Sequence, residues 1–234
     1  MEKIKNTLLN EFWIGYNNFE RMFMVLMVAL QGLVFLIAPD SPLSMIAGIA
    51  GVISVVMCAK GKIGFYWVGF IQTGICLWLT WEAQFYGEFA ENIFYLVTMI
   101  WGIYVWKANL KTNEDGSKQV KAKKFRLKEW IASLAITGAG TLGLGYGLTL
   151  IDSQQAYTDA ATNVLAIVAQ LLMVKGYREQ WIWWIIIDLL CLKMWIVEGN
   201  WSMVAMYIAW TINCIYGWYN WTKLNKQSEV AICE

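Results

Sequence analysis

Asp188 is the residue of this chain with the most chemical leverage, because it is a carboxylate set inside the apolar run 181–198. It lies about seven residues into that run, which is about 10 Å along a helix. An ionisable group at such depth is costly unless it meets a donor, a water-filled cavity or a cationic ligand, so it marks a functional position. Trp181, Trp184, Asp188, Cys191 and Trp195 follow i, i+3, i+7, i+10, i+14 spacing and share one helical face. The ring of Trp184, one turn from the carboxylate, offers the π face that an aromatic cation prefers. Further polar groups sit in other apolar runs: Gln72 with Gly69 one turn before it, Tyr95 and Thr98, Asn163 and Gln170, and Asn213. Each can contact a ligand or act as interhelical hydrogen-bonding glue, and both readings stand at this stage. Trp181, like Trp201, Trp218 and Trp221, also suits an interfacial anchor at a helix end.

The residue types that are missing narrow the chemistry. The chain has no histidine, which removes a His-ligated haem, a His-containing zinc site, a His general base and a His proton relay. Intramembrane metalloproteases and Ser–His proteases go with them. An aspartyl mechanism needs two close carboxylates, and only Asp188 is expected at depth. Cys58, Cys76, Cys191, Cys214 and Cys233 form no C-x-x-C pair, and the first four lie in apolar runs as small fillers. The sequence therefore predicts no enzyme, no cofactor and no metal site.

The elements that must position these groups are membrane helices. Apolar residues make up 59% of the 234, charged residues only 15%, and fifteen are Trp, which is not a soluble core. A span needs roughly 20 mostly apolar residues. The segments 22–38, 43–59, 63–80, 89–106, 129–151, 159–175, 181–198 and 201–221 qualify or nearly so. Lys60 and Lys62, the basic stretch from Lys107 to Lys128, Lys175 with Arg178, and Lys223 with Lys226 occupy every second connection. The alternate connections carry Asp40, Glu82, Glu88, Glu91, Asp152, Asp159 and Glu198 without Lys or Arg. That alternation predicts an even number of spans with both termini cytoplasmic. The 107–128 stretch is expected as a solvated cytoplasmic loop, not as a nucleic-acid or lipid patch. Residues 1–21, with Lys3, Lys5, Glu11, Glu20 and Arg21 among Leu8, Leu9, Phe12, Trp13 and Phe19, are expected as an amphipathic helix on the membrane surface.

The chain also repeats itself. Lys60-Gly61 recurs as Lys175-Gly176, an offset of 115 residues. At that offset Ile100-Trp101-Gly102 matches Ile215-Tyr216-Gly217, Trp106 matches Trp221 and Cys76-Leu77 matches Cys191-Leu192. Thr98 and Asn213 correspond, and Gln72 falls one residue off the position of Asp188. The offset spans four helices, an even number, so the two copies are expected to run parallel. The predicted fold is an all-α integral membrane protein of about eight transmembrane helices. Two parallel three-helix bundles are joined by a linker helix, with an additional N-terminal helix. The divisions are 1–42 (amphipathic segment and first span), 43–107 (first bundle), 108–152 (basic loop and linker helix), 153–222 (second bundle) and 223–234 (cytoplasmic tail). The glycines Gly138, Gly140, Gly143, Gly145 and Gly147 of the linker helix have no nearby Lys-Ser/Thr pair, so they read as a close-packing surface and not a phosphate loop. Polar groups from both copies are expected to converge near mid-depth.

The residues also resemble a known family. Ala169-Gln170-Leu171-Leu172-Met173, Lys175 and Trp181-Ile182-Trp183-Trp184 resemble the second repeat of PnuC-type nicotinamide riboside transporters, with their W-x-x-W signature. Lys60-Gly61-Lys62-Ile63, Gln84-Phe85-Tyr86-Gly87-Glu88 and the Trp106 ending resemble the first, so the likeness covers roughly residues 43–221. It implies a fold related to the SWEET sugar transporters and vitamin uptake across a bacterial inner membrane by facilitated diffusion with alternating access. The W-x-x-W maps onto Trp181 and Trp184. At the Asp188 position the family often has an amide, and Gln72 stands where Asn is common. The expected ligand is nicotinamide riboside, bound by Trp181, Trp184, Asp188, Gln72, Asn163, Gln170, Tyr95, Thr98 and Asn213. Related members carry thiamine or riboflavin, and a carboxylate suits either cation better than neutral riboflavin. The remaining alternative is a structural membrane subunit. The partners implied are that small cation and the lipid bilayer, with no nucleic acid; a homo-oligomer is compatible with the sequence.

Overall fold

The computed structural model describes residues 9–37, 41–113, 116–150, 155–199 and 201–233. Lys3, Lys5, Leu8, Asp40 and Asp152, used above for the N-terminal segment and the loops, lie outside the described residues. After a short helical turn at 9–12 come α1 (Asn18–Ile37), α2 (Pro42–Lys60), α3 (Phe65–Glu82) and α4 (Tyr86–Ala108). A two-stranded antiparallel hairpin follows, β1 (Leu110–Thr112) with β2 (Lys118–Val120). Then come α5 (Leu127–Thr149), α6 (Ala156–Lys175), α7 (Gln180–Val197) and α8 (Trp201–Cys233).

Among the described residues, α1, α2, α4, α5, α6 and α7 are long and apolar enough to cross a membrane. In α3 the indoles and hydroxyls of Tyr66, Trp67, Thr73, Trp78, Thr80 and Trp81 dilute the aliphatic content. Large side chains such as Val25, Leu26, Leu36, Ile131, Leu134, Leu142 and Val197 are exposed on these helices. A soluble monomer does not tolerate so much uncovered apolar surface, whereas helices facing hydrocarbon require it. The fold is that of an all-α integral membrane protein, departing from helix in the small hairpin and in an isolated parallel bridge between Lys123 and Tyr177.

The chain divides into two compact units, Met1–Lys121 and Ala122–Glu234. In the first, α1 packs on α2, α2 on α3 and α3 on α4; in the second, α5 packs on α6, α6 on α7 and α7 on α8. The helix expected as a linker, α5, therefore packs as part of the second unit. Gly140 and Gly145 let it do so, because a Cβ at either would meet Val164 or the ring of Tyr157 on α6.

Matching local geometry recurs at the offset of 115. Gly61 ends α2 at φ 76°, its N–H bonding Cys58 O at 2.9 Å, with Lys62 N–H on Met57 O at 3.0 Å. Gly176 ends α6 at φ 77°, with Gly176 N–H on Met173 O at 3.0 Å and Tyr177 N–H on Leu172 O at 2.9 Å. Positive φ at a helix end favours glycine, which is why the Lys-Gly pair recurs. Tyr66 lies over Gly102 and edge-on to Trp106, ring centroids 5.3 Å apart. Trp181, its counterpart at the same offset, lies over Gly217 and edge-on to Trp221 at 6.0 Å. A Cβ at Gly217 would sit 2.6 Å from the Trp181 ring. Gly217→Val is expected to cost about 1–3 kcal/mol by overpacking, read as a lower melting temperature in detergent. Gly147→Val, in open space, is the matched control and should melt close to wild type.

Three expectations need correction. The N-terminal segment, from residue 9 onward, is not an amphipathic helix lying on the surface. Gly15 (φ 82°) breaks it, and Asn17 caps α1 by accepting from Glu20 N–H at 2.9 Å while Glu20 accepts from Asn17 N–H. Its polar groups turn inward: Glu11 accepts from Gly64 N–H at 2.8 Å, Lys62 donates to Asn10 O at 2.7 Å, and Lys60 bonds both carboxylate oxygens of Glu20 at 2.8 and 2.9 Å. Tyr16 is buried among these charges, and burial, with Glu11 and Glu20 nearby, pushes its phenol up, so it stays neutral.

The basic stretch is not simply a solvated loop, because its backbone satisfies the turns beside it. Within the first unit, Gln119 donates to Lys60 O at 2.7 Å and Val120 N–H to Gly61 O at 2.9 Å. Within the second, Lys123 N–H donates to Gly176 O and Arg178 N–H to Lys123 O. The segment 223–234, expected as a tail, continues α8 to Cys233. No glycine or proline follows Gly217 to stop the helix, and Leu224 and Asn225 are buried, Asn225 donating to Ala122 O at 3.0 Å.

Candidate functional site

The second unit carries the sharper site. Its α7 is a run of Trp and Ile that packs on α6 and α8. Leu165, Ala166, Val168 and Ala169 of α6 form a core with Trp183 and Ile187, against which Trp184 is half-buried. Asp188 is one turn further along α7 and only 5% exposed. The donor recorded for its carboxylate among the described residues is the thiol of Cys214 on α8, at 3.3 Å. Asp188 takes part in neither of the ion pairs recorded among the described residues. A thiol is a weak donor, so this buried carboxylate is poorly compensated by the protein around it.

Other members of the α7 face reach α8 as well. Tyr207 of α8 hydrogen-bonds to Cys191 and Trp195, so Asp188, Cys191 and Trp195 all address the same neighbour. Trp181 is committed to Gly217 and Trp221, buried as part of that packing. Trp184 is partly buried against the core that Trp183 and Ile187 form with α6. Gln170 and Asn213 are buried in the same unit. Asn163 is exposed, its amide donating back to Asp159 O at 2.8 Å on its own helix.

In the first unit Gln72 lies over Gly51, where a Cβ would sit 2.8 Å from its amide nitrogen. Thr98 is buried and bonds back to Phe94 O and Tyr95 O of α4 at 2.9 and 3.0 Å. Tyr95 donates to Glu91 at 2.5 Å. Sequence reasoning missed Thr73, which stands at the offset of 115 from Asp188 where Gln72 had seemed nearest. Thr73 is buried and donates to Met99 Sδ at 3.8 Å, and Met99 is the counterpart of Cys214. It also missed Cys214 and Tyr207, since a thiol or phenol among apolar residues gives no signal until α7 and α8 are placed side by side.

A polytopic helical protein with a poorly compensated carboxylate and several amides inside its spans has the architecture of a small-molecule carrier. Residues 41–223 match the family described as nicotinamide mononucleotide transporters. A nicotinamide riboside transporter PnuC of Haemophilus influenzae is 35% identical over 94% of this chain and 97% of its own, and one of Neisseria mucosa is 32% identical over 93% and 86%. A crystal structure described as that of the vitamin B3 transporter PnuC matches with a TM-score of 0.80 at 31% identity, covering 93% of this chain and 96% of that one. The chain belongs to this family of multi-pass membrane transporters.

Proposed function

We propose that the chain carries nicotinamide riboside across a bacterial inner membrane by facilitated diffusion with alternating access. The observation that carries this reading is Asp188, a carboxylate inside the membrane whose recorded protein donor is a thiol. A pyridinium cation supplies the compensation that the fold leaves out, and Trp184 one turn away supplies a π face. The family description speaks of the mononucleotide and the relatives' names of the riboside. These differ by a phosphate, which would need a cationic partner. Lys193 is the basic residue on α7 and it is exposed, so the riboside fits better. In this proposal Trp184 stacks on the ring and Asp188 balances its charge or bonds the ribose. Gln170 and Asn213, buried in the same unit, supply hydrogen bonds. Trp181, packed on Gly217 and Trp221, and Asn163, exposed with its amide on Asp159 O, are given no ligand contact in this proposal.

The test is uptake of labelled nicotinamide riboside into proteoliposomes. Saturable uptake that excess unlabelled riboside suppresses is expected; robust thiamine uptake with none of the riboside would sink the assignment. Both termini are proposed to be cytoplasmic, from the distribution of Lys and Arg. A cysteine placed at Thr112 should then react with a membrane-impermeant maleimide only from the inside, and one at Glu198 only from the outside. The opposite pattern reverses the orientation.

A further inference from the structure

We propose that Cys214 is a positioning and specificity-determining residue of the substrate site, and that its small size is what gives Trp184 its place beside Asp188. The inference rests on the proposed role of Trp184 and Asp188. It comes from comparing the two units position by position at the offset of 115. In the first unit a Cβ on Gly69 would meet the terminal methyl of Met99 at 2.7 Å and the hydroxyl of Ser54 at 3.1 Å. A side chain at position 69 would press on both, so Met99 and Ser54 would have to give way. In the second unit the counterparts are Trp184, Cys214 and Ala169. Both crowding side chains have become smaller where the glycine has become tryptophan. Ala169 is buried in the core against which Trp184 packs.

The polar bridge between helices has been rewritten at the same time. Thr73 donates to Met99 Sδ at 3.8 Å in the first unit. Cys214 donates to Asp188 at 3.3 Å in the second. The sulfur changes from acceptor to donor as the hydroxyl becomes a carboxylate, and one short side chain serves both ends. It leaves room for the indole and gives Asp188 a directional hydrogen bond too weak to satisfy the charge.

The test is a series in proteoliposomes: Cys214→Ser, Cys214→Ala, Cys214→Met and the exchange Trp184→Gly with Cys214→Met, each followed by uptake kinetics and by melting temperature in detergent. Cys214→Ala should raise the KM for nicotinamide riboside about tenfold with the maximal rate little changed, since the carboxylate loses the hydrogen bond that orients it toward the ligand. Cys214→Ser should recover most of that affinity. Cys214→Met should abolish uptake and lower the melting temperature, because it crowds the indole. The exchange should restore the melting temperature without restoring uptake. An unchanged KM in Cys214→Ala, or wild-type uptake in Cys214→Met, overturns the proposal. If wild-type protein moves thiamine but not the riboside, the substrate assignment fails separately and the same series is read on thiamine.

Discussion

Asp188→Asn is expected to weaken nicotinamide riboside uptake about tenfold in KM and Asp188→Ala about a hundredfold, while neither lowers the melting temperature by a comparable measure. The asymmetry follows from how Asp188 is held. Its carboxylate is buried with a thiol as recorded donor, so the free protein carries a desolvation cost that its own hydrogen bonds do not repay. Asn keeps the shape, still accepts from Cys214 and removes the charge, so the Asn variant should melt at or above the wild-type temperature. A cation in the site, by contrast, loses a desolvated charge partner, and truncating such a partner typically costs about 2–5 kcal/mol. Ala loses the hydrogen-bond acceptor too and leaves a small void, hence the larger effect. Uptake kinetics with the riboside, paired with melting curves with and without it, separate the two readings. A structural subunit would show the reverse: a lower melting temperature for both variants and unchanged ligand-induced stabilisation.

How much of this was legible in the sequence depends on the range of the interaction. Helix existence was legible because apolar runs of span length are a local property, and the described helices fall within a few residues of the expected spans, α8 excepted. The Lys-Gly ends at 60–61 and 175–176 were legible because a left-handed cap asks for glycine. Asp188 stood out because a lone carboxylate in an apolar run has few bland explanations. Trp181 did not declare itself. Interfacial anchor, ring stack and packing against Gly217 all produce the same letter near a helix end, and only the partner across α8 decides for packing. Cys214 was invisible for the opposite reason, since a cysteine in an apolar helix is ordinarily filler. Its meaning comes from the carboxylate 26 positions earlier and from Met99 at the matching position of the first unit. The role of Asn163 was not legible, because an asparagine one turn from Asp159 can satisfy itself on its own backbone, and spacing alone does not distinguish that from ligand contact.

The lysines of the α2–α3 turn carry the other large expected effect, and they qualify the charge argument itself. Lys60 and Lys62 belong to the positive-inside pattern, yet both are buried, Lys60 on the carboxylate of Glu20 and Lys62 on Asn10 O. Lys60→Met should destabilise the protein by about 3–5 kcal/mol, because it removes the cation that balances the carboxylate of Glu20, which is only 3% exposed. Glu20→Gln should do nearly as much harm by removing the countercharge of the buried ammonium, although Gln still offers one acceptor oxygen. The double variant should recover most of the loss, since an apolar and a neutral side chain then meet where two charges were desolvated together. Lys175, which holds the matching position before Gly176, is exposed, so Lys175→Met should shift the melting temperature by little. Melting curves of the four variants in one detergent form a double-mutant cycle with its own control. Additive losses from the two single changes would show that the pair is not coupled, and that the N-terminal segment is held to the turn chiefly by Glu11 on Gly64 and Lys62 on Asn10. Coupling of several kcal/mol would mean that the α2–α3 turn contributes to orientation with charges already neutralised within the fold. The positive-inside bias of this chain would then rest on the exposed lysines of the later connections, such as Lys118, Lys124 and Lys175.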